Sequence, residues 1–186
     1  MEDENELGYG ALRRLARDLI AHKINEKNQR TGSSGKWKNV TLASICDDAI
    51  ESARKDWPKH YGAETHEGFL YSWEKLHQKF QCRPSHFNLA VWQEIDGDRV
   101  LQALALGKPS NRKTHLTLHW IERSFAPTEL KGVLIAILAC AEEYAKLIGS
   151  SRVLIKDAVD NGVYEKYGYS IYKLRKVSGS YLGKDL

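Results

Sequence analysis

Between Lys113 and Val177 the chain alternates between runs suited to strands and runs suited to helices, and this alternation limits its fold more than any other feature. The order is KTHLTLHWIERSFAP, TELKGVLIAILACAEEYAKLIG, SRVLIK and DAVDNGVYEKYGYSIYKLRKV. It predicts strand, long helix, strand, short helix, strand, with at least one parallel pairing and hence an α/β sheet. In the long helix Leu130, Val133, Leu134, Ile137, Leu138, Ala141, Ala145 and Ile148 recur at spacings of three and four, so they share one apolar stripe. Pro127 and Thr128 mark its entry. Gly149 is a natural stop, because it accepts a positive φ without a Cβ clash. The segment from Lys113 to Ile121 is rich in β-branched and aromatic residues. Val153–Ile155 is the short apolar run of a strand buried on both faces.

Earlier in the chain, Leu12, Leu15, Leu19 and Ile20 predict a helix from Leu7 to about Glu26, basic through Arg13, Arg14, Arg17, Lys23 and Lys27. Its cations form a solvated face, or else meet an acidic partner or nucleic acid. Asn28–Gly35 reads as a loop and Lys36–Leu42 as a strand anchored by Trp37 and Val40. A helix follows over Ala43–Lys55, stopped by Pro58, which cannot donate a helical hydrogen bond. Tyr61–Glu67 reads as a further loop. Phe69, Trp73, Leu76, His77 and Phe80 step along the face of another helix. Phe87–Gln93 and Arg99–Leu106 are antiparallel strands joined at Asp96-Gly97. The polar turn Lys108–Lys113 leads into the strand at His115. Residues 1–35 are expected to be a helical extension and residues 36–186 the main domain.

The block YEKYGY, Tyr164–Tyr169, together with the strand, the proline-bearing turn, the glycine before a long helix ending EEYAKLIG, and the closing YLGKDL, resembles the Gcn5-related N-acetyltransferase (GNAT) superfamily. The resemblance runs from Phe87 to the C-terminus. It implies a mixed, mostly antiparallel sheet flanked by helices, to which the N-terminal helix is an addition. The family binds its cofactor's pyrophosphate with Q/R-x-x-G-x-G/A. Here the matching segment is Glu129, Leu130, Lys131, Gly132, Val133, Leu134, in which only the central glycine survives.

Acyl transfer from a thioester to an amine needs anchored donor phosphates, an amine that loses a proton and a thiolate that gains one. By the resemblance, the backbone of Lys131, Gly132, Val133 and Leu134 at a helix N-terminus holds the phosphates of acetyl-CoA, with Lys131 and Arg123 adding charge. Glu129 opposes this with like charge, and Leu134 adds bulk. Tyr164 stands where the family places its general acid, and a tyrosine packed between helix and sheet is the competing reading. Glu122 is the candidate base. With period two it shares a face with Leu116, Leu118 and Trp120, whereas His115, Thr117 and His119 face the other way. His115 and His119 are ~13 Å apart from strand rise alone, so no shared metal is expected. No zinc-type Cys/His spacing, nucleophile elbow or P-loop occurs.

The net charge of +4 and pI of about 8.9 fit an anionic ligand without requiring one. Cys46, Cys82 and Cys140 form no CxxC pair, which suits reduced thiols and a cytoplasmic protein. The acidic start MEDENEL does not look like a signal peptide, and no apolar run suits a bilayer, so no membrane partner is expected. Three functions remain open: an acetyl-CoA-dependent N-acetyltransferase acting on a small-molecule, peptide or protein amine; a binding or regulatory module that kept the fold and lost the cofactor; and an acyltransferase for a nucleic-acid-linked amine such as charged tRNA. A homodimer is compatible with each.

Overall fold

The protein is described here by a computed structural model covering residues 2–31, 40–61, 72–126, 132–174 and 177–186. In chain order it comprises helix α1 (Glu2–Thr31), strand β1 (Val40–Ala43), α2 (Asp47–Asp56), a 3-10 turn (Trp57–His60), α3 (Trp73–Gln81), β2 (Phe87–Ile95), β3 (Asp98–Pro109), β4 (Leu116–Arg123), α4 (Val133–Leu147), β5 (Arg152–Lys156), α5 (Asn161–Glu165), β6 (Ser170–Ile171) and β7 (Tyr181–Asp185). The strands form one seven-stranded sheet in the order β1-β2-β3-β4-β5-β7-β6. Every neighbouring pair is antiparallel except β4 with β5, where α4 provides the crossover that a parallel pairing needs.

Alternation along the central strands, stepped by one residue at a bulge in β3 between Leu101 and Ala103, sorts the core into two layers. Leu89, Val91, Ala103 and Ala105 face α1 and α4. Ala90, Trp92, Leu101, Leu104 and Leu106 face α2, α3 and the 3-10 turn, where Trp57 and Trp73 meet edge to face at 6.4 Å. The Trp57 indole N–H donates to the Leu101 carbonyl at 3.3 Å, fixing this second layer to β3. The β2–β3 hairpin turns at Asp96 and Gly97, both with positive φ.

Helix α1 is longer than its sequence pattern predicts and continues through Thr31, into the expected loop. Its inward stripe is Tyr9, Leu12, Ala16, Ile20 and Ile24, and it packs along α4 and beside β1. Leu15 lies off that stripe and is 45% exposed. From Leu12 onward the buried face advances in steps of four residues, so Leu15 and Leu19, three and seven beyond Leu12, fall to its side. Nor is the basic face uniformly solvated. Arg17 is only 9% exposed, and Arg13 donates to the His86 carbonyl at 3.1 Å.

Pro58 does not end the second helix outright. The α-helix stops at Asp56, and the chain tightens into the 3-10 turn with Pro58 in its first turn, where a missing N–H costs nothing. The stretch after Tyr169 supplies only the two-residue β6. It lies outside β7, and β7 takes the place beside β5. Trp37, Phe69, Pro127, Thr128, Glu129, Leu130 and Lys131 lie outside the described residues, as do residues 62–67 of the expected loop. Helix α4 is continuous over its described length and closes at Gly149 (φ 80), where the Ser150 N–H reaches back to the Ala145 carbonyl at 2.8 Å. No described helix is long and apolar enough to cross a membrane.

Candidate active site

Strands β4 and β5 pair only at Leu116–Val153, Thr117–Leu154 and Leu118–Ile155. Beyond these positions both strands continue but no longer meet. Between their C-terminal ends lies a cleft of about 210 Å³, with Leu118–Ile121 on one wall, Ile155–Val159 on the other, and Tyr164 from α5. Because α4 connects the end of β4 to the start of β5, its N-terminus stands at this same end of the sheet. Ligands of parallel α/β units bind at such strand ends, where helix N-termini converge.

Tyr164 is half-buried, with its ring 6.5 Å from Tyr169 in an edge-on contact. Burial raises its pKa above the ordinary phenol value, so it holds its proton at neutral pH. Tyr169 is fixed in turn: its hydroxyl donates to Glu142 of α4 at 3.1 Å, and Lys184 of β7 bridges both oxygens of that carboxylate at 2.9 and 3.0 Å. The short helix carrying Tyr164 starts at Asp160, whose side chain accepts from the Gly162 N–H at 2.9 Å.

Glu122 is placed by a feature that its period-two pattern conceals. Trp120 pairs with Leu106 and Leu118 pairs with Gly107, so His119 is an extra residue in β4, a β-bulge. The bulge inverts the side-chain alternation. Leu116 and Leu118 face α4, whereas Trp120 and Glu122 face the tryptophan layer, so the expected common face is broken. Glu122 is 5% exposed and does not line the cleft. Its carboxylate accepts from the Tyr61 hydroxyl at 2.9 Å and from the Trp73 indole N–H at 2.5 Å. Burial, reinforced by the hydrogen bond and the negative charge of Glu122, drives the Tyr61 pKa up.

His119 is not legible in the sequence as a cleft residue, since the bulge that turns it has no local sequence mark. Its ring sits 5.8 Å from Phe80, and its buried Nε2 has no partner among the described residues. Burial, with Lys108, Lys156, His86 and Lys79 adding repulsion, lowers its pKa to about 4, so it is neutral at pH 7.

Gly132 caps α4 in the left-handed region (φ 81, ψ 25), a conformation that disfavours a Cβ. Val133 and Leu134 pack against the main core, and the exposed residue of the first turn is Ile135, at 48%. The bulk of Leu134 is therefore committed to the core. Arg123 is exposed and stacks over Phe125 at 5.1 Å. Among the described residues no group of three or more His, Cys, Asp or Glu side chains could hold a metal ion.

No family model matches the sequence, and no curated protein does. Solved structures do. An acetyltransferase from Thermus thermophilus superposes with a TM-score of 0.56 at 11% identity, over 80% of this chain and 97% of that one. The GNAT domain of S. lividans PAT gives 0.55 at 17% identity, over 78% and 89%. This is the GNAT fold. N-acetylglutamate synthase from Neisseria gonorrhoeae, solved with coenzyme A and N-acetyl-glutamate, gives 0.57 at 16% identity; 79% of this chain matches 35% of that one. What the GNAT fold contributes here is a mixed sheet that parts between its two parallel strands.

Proposed function

We propose that this chain is an acetyl-CoA-dependent N-acetyltransferase that moves the acetyl group directly to a primary amine. The observation that carries the reading is a protonated, half-buried Tyr164 lining the cleft where β4 and β5 part, at the end of the sheet where α4 begins. Solved acetyltransferases sharing the fold support it, one of them containing coenzyme A.

Acetyl-CoA, as co-substrate, supplies an activated thioester. The residues present fit it in two respects. Gly132 in its left-handed conformation turns the chain into α4, and the backbone N–H groups of Val133 and Leu134 at that terminus suit a pyrophosphate. Leu134 also directs its bulk into the core. Lys131 and Arg123 add positive charge in this reading. The Tyr164 hydroxyl protonates the departing thiolate, and burial keeps that proton available at neutral pH. Glu122 accepts the amine's proton, through a water or through the Tyr61 hydroxyl that already donates to it.

The test is release of free thiol from acetyl-CoA in the presence of a panel of amines: polyamines, amino acids, lysine peptides and aminoacyl-tRNA. The reading expects release with at least one acceptor, or slow hydrolysis without one. Binding of acetyl-CoA with no release under any condition would make the protein a binding module.

A further inference from the structure

At the opposite end of β4, where the strand begins, lies a second and larger concavity of about 540 Å³. One side is the turn between α3 and β2, with Arg83, Ser85 and His86. The other is the end of β3 and the turn into β4, with Lys108, Asn111 and Lys113. No carboxylate and no Phe, Tyr or Trp ring among the described residues lines it.

The charge behind this wall has the same sign. Arg13 of α1 donates to the Pro84 and His86 carbonyls directly beneath the pocket, and its buried Nε has no partner among the described residues. One helical turn further, Arg17 is buried, and its Nη1 is likewise without a partner among them. The field is also felt by the pocket histidine. Burial is the largest cause lowering the His86 pKa, and Lys108, Arg83 and Arg13 lower it further against a raising hydrogen bond to Phe80. Lys113 is held in place by Tyr9, to which its ammonium donates and over whose ring it sits at 4.8 Å. Lys113 itself adopts a positive φ of 55, in a turn knitted together by the Ser110 hydroxyl, which accepts from the Thr114 and His115 N–H groups at 3.0 and 3.4 Å. The lysine is thus presented by an ordered turn.

Cations placed around one concavity repel each other in the folded state, and a multiply charged anion relieves that repulsion. A lining without a large aromatic ring argues against stacking of a base. The two-sided placement of cations, with amide and hydroxyl groups between them, suits the several oxygens of phosphate better than the two of a carboxylate. We infer that this pocket binds a ligand through two or more closely spaced phosphates, either a free diphosphate or a run of phosphodiesters. The inference is independent of the acyl-transfer reading, because the pocket is formed by different residues at the other end of β4.

The experiment uses the full chain and the variant Arg83→Ala/Lys108→Ala. Both side chains are exposed, so the fold is retained, and an unchanged melting curve verifies this. The probes, titrated in turn by calorimetry at low salt, are inorganic pyrophosphate, a single-stranded oligonucleotide and poly-glutamate. Pyrophosphate or the oligonucleotide should bind, and the double variant should lose at least tenfold in affinity. An oligonucleotide held by Arg83, Lys108 and Lys113 should weaken about twenty-fold between about 50 and about 200 mM salt, the loss expected for three displaced counterions on a single strand. Tighter binding of pyrophosphate than of the oligonucleotide assigns the free diphosphate, and the reverse order assigns the phosphodiester run. The inference is overturned by no binding at millimolar probe, by equal affinity in the double variant, which would move the anion to the N-terminus of α4 or elsewhere, or by poly-glutamate binding as tightly as the phosphates.

Discussion

A tyrosine hydroxyl with no hydrogen bond to hold it is a cheap group to remove, and Tyr164 is in that position: its ring packs, while no hydrogen bond among the described residues engages its oxygen. Tyr164→Phe should therefore leave the urea midpoint almost unchanged while turnover falls about 100-fold, the size of a lost acid–base group. Tyr164→Ala should also destabilise, by about 3 kcal/mol, because it opens a cavity between α5 and the core. Turnover unaffected by Phe would reduce Tyr164 to a packing residue. Glu122 is the reverse case, a carboxylate whose structural role is plain from its donors Tyr61 and Trp73. Glu122→Gln replaces one accepting oxygen with an NH₂ that faces a donor. It should cost on the order of 1–3 kcal/mol in urea unfolding, the penalty of a buried donor left unsatisfied. If stability is unchanged and only turnover falls, Glu122 acts chemically and its buried bonds contribute little.

The start of α4 and the bulge in β4 position the candidate site, and they differ in how visible they are in sequence. The long helix is legible because its stripe is local: Ile137, Leu138, Ala141 and Ala145 bury as their spacing requires, and Gly149 closes it. The parallel β4–β5 pairing follows from that helix, since no short turn can join parallel strands. The bulge at His119 is a different kind of fact. It exists because Leu106 and Gly107 of β3 meet Trp120 and Leu118 out of step, a relation between strands that neither strand announces alone. For that reason strict alternation gives Glu122 the wrong face and misses His119. Arg13 and Arg17 mislead on similar grounds: charge suggests solvent, but the turn at Pro84–His86 supplies carbonyls and the α4 surface supplies burial. The glycine at the start of α4 gives the element-scale prediction. Gly132→Ala forces a Cβ into a left-handed backbone (φ 81) and should cost about 1–2 kcal/mol. It should also weaken acetyl-CoA binding through displaced N–H groups. Loss of stability with binding intact would separate this turn from the phosphates.

For the molecule as a whole, acid should be destabilising well above the carboxylate range. The pKa of His119 is lowered from 6.5 to about 4, so the unfolded chain takes up its proton first as pH falls. Stability is therefore complete above the unfolded value and is lost downward through the window between the two. Between pH 7 and pH 5 this single group accounts for about 2 kcal/mol. His77, His86 and His115, each lowered first by burial, contribute with the same sign. Urea midpoints at the two pH values measure the sum, and His119→Gln should shrink the difference; an equal difference in that variant contradicts the assignment. The acetyltransferase reading stands or falls on calorimetric titration of the protein with acetyl-CoA. It predicts one site per chain, weakened in Gly132→Ala and retained in Arg83→Ala/Lys108→Ala. Absence of binding at millimolar acetyl-CoA, with the protein folded, would contradict it.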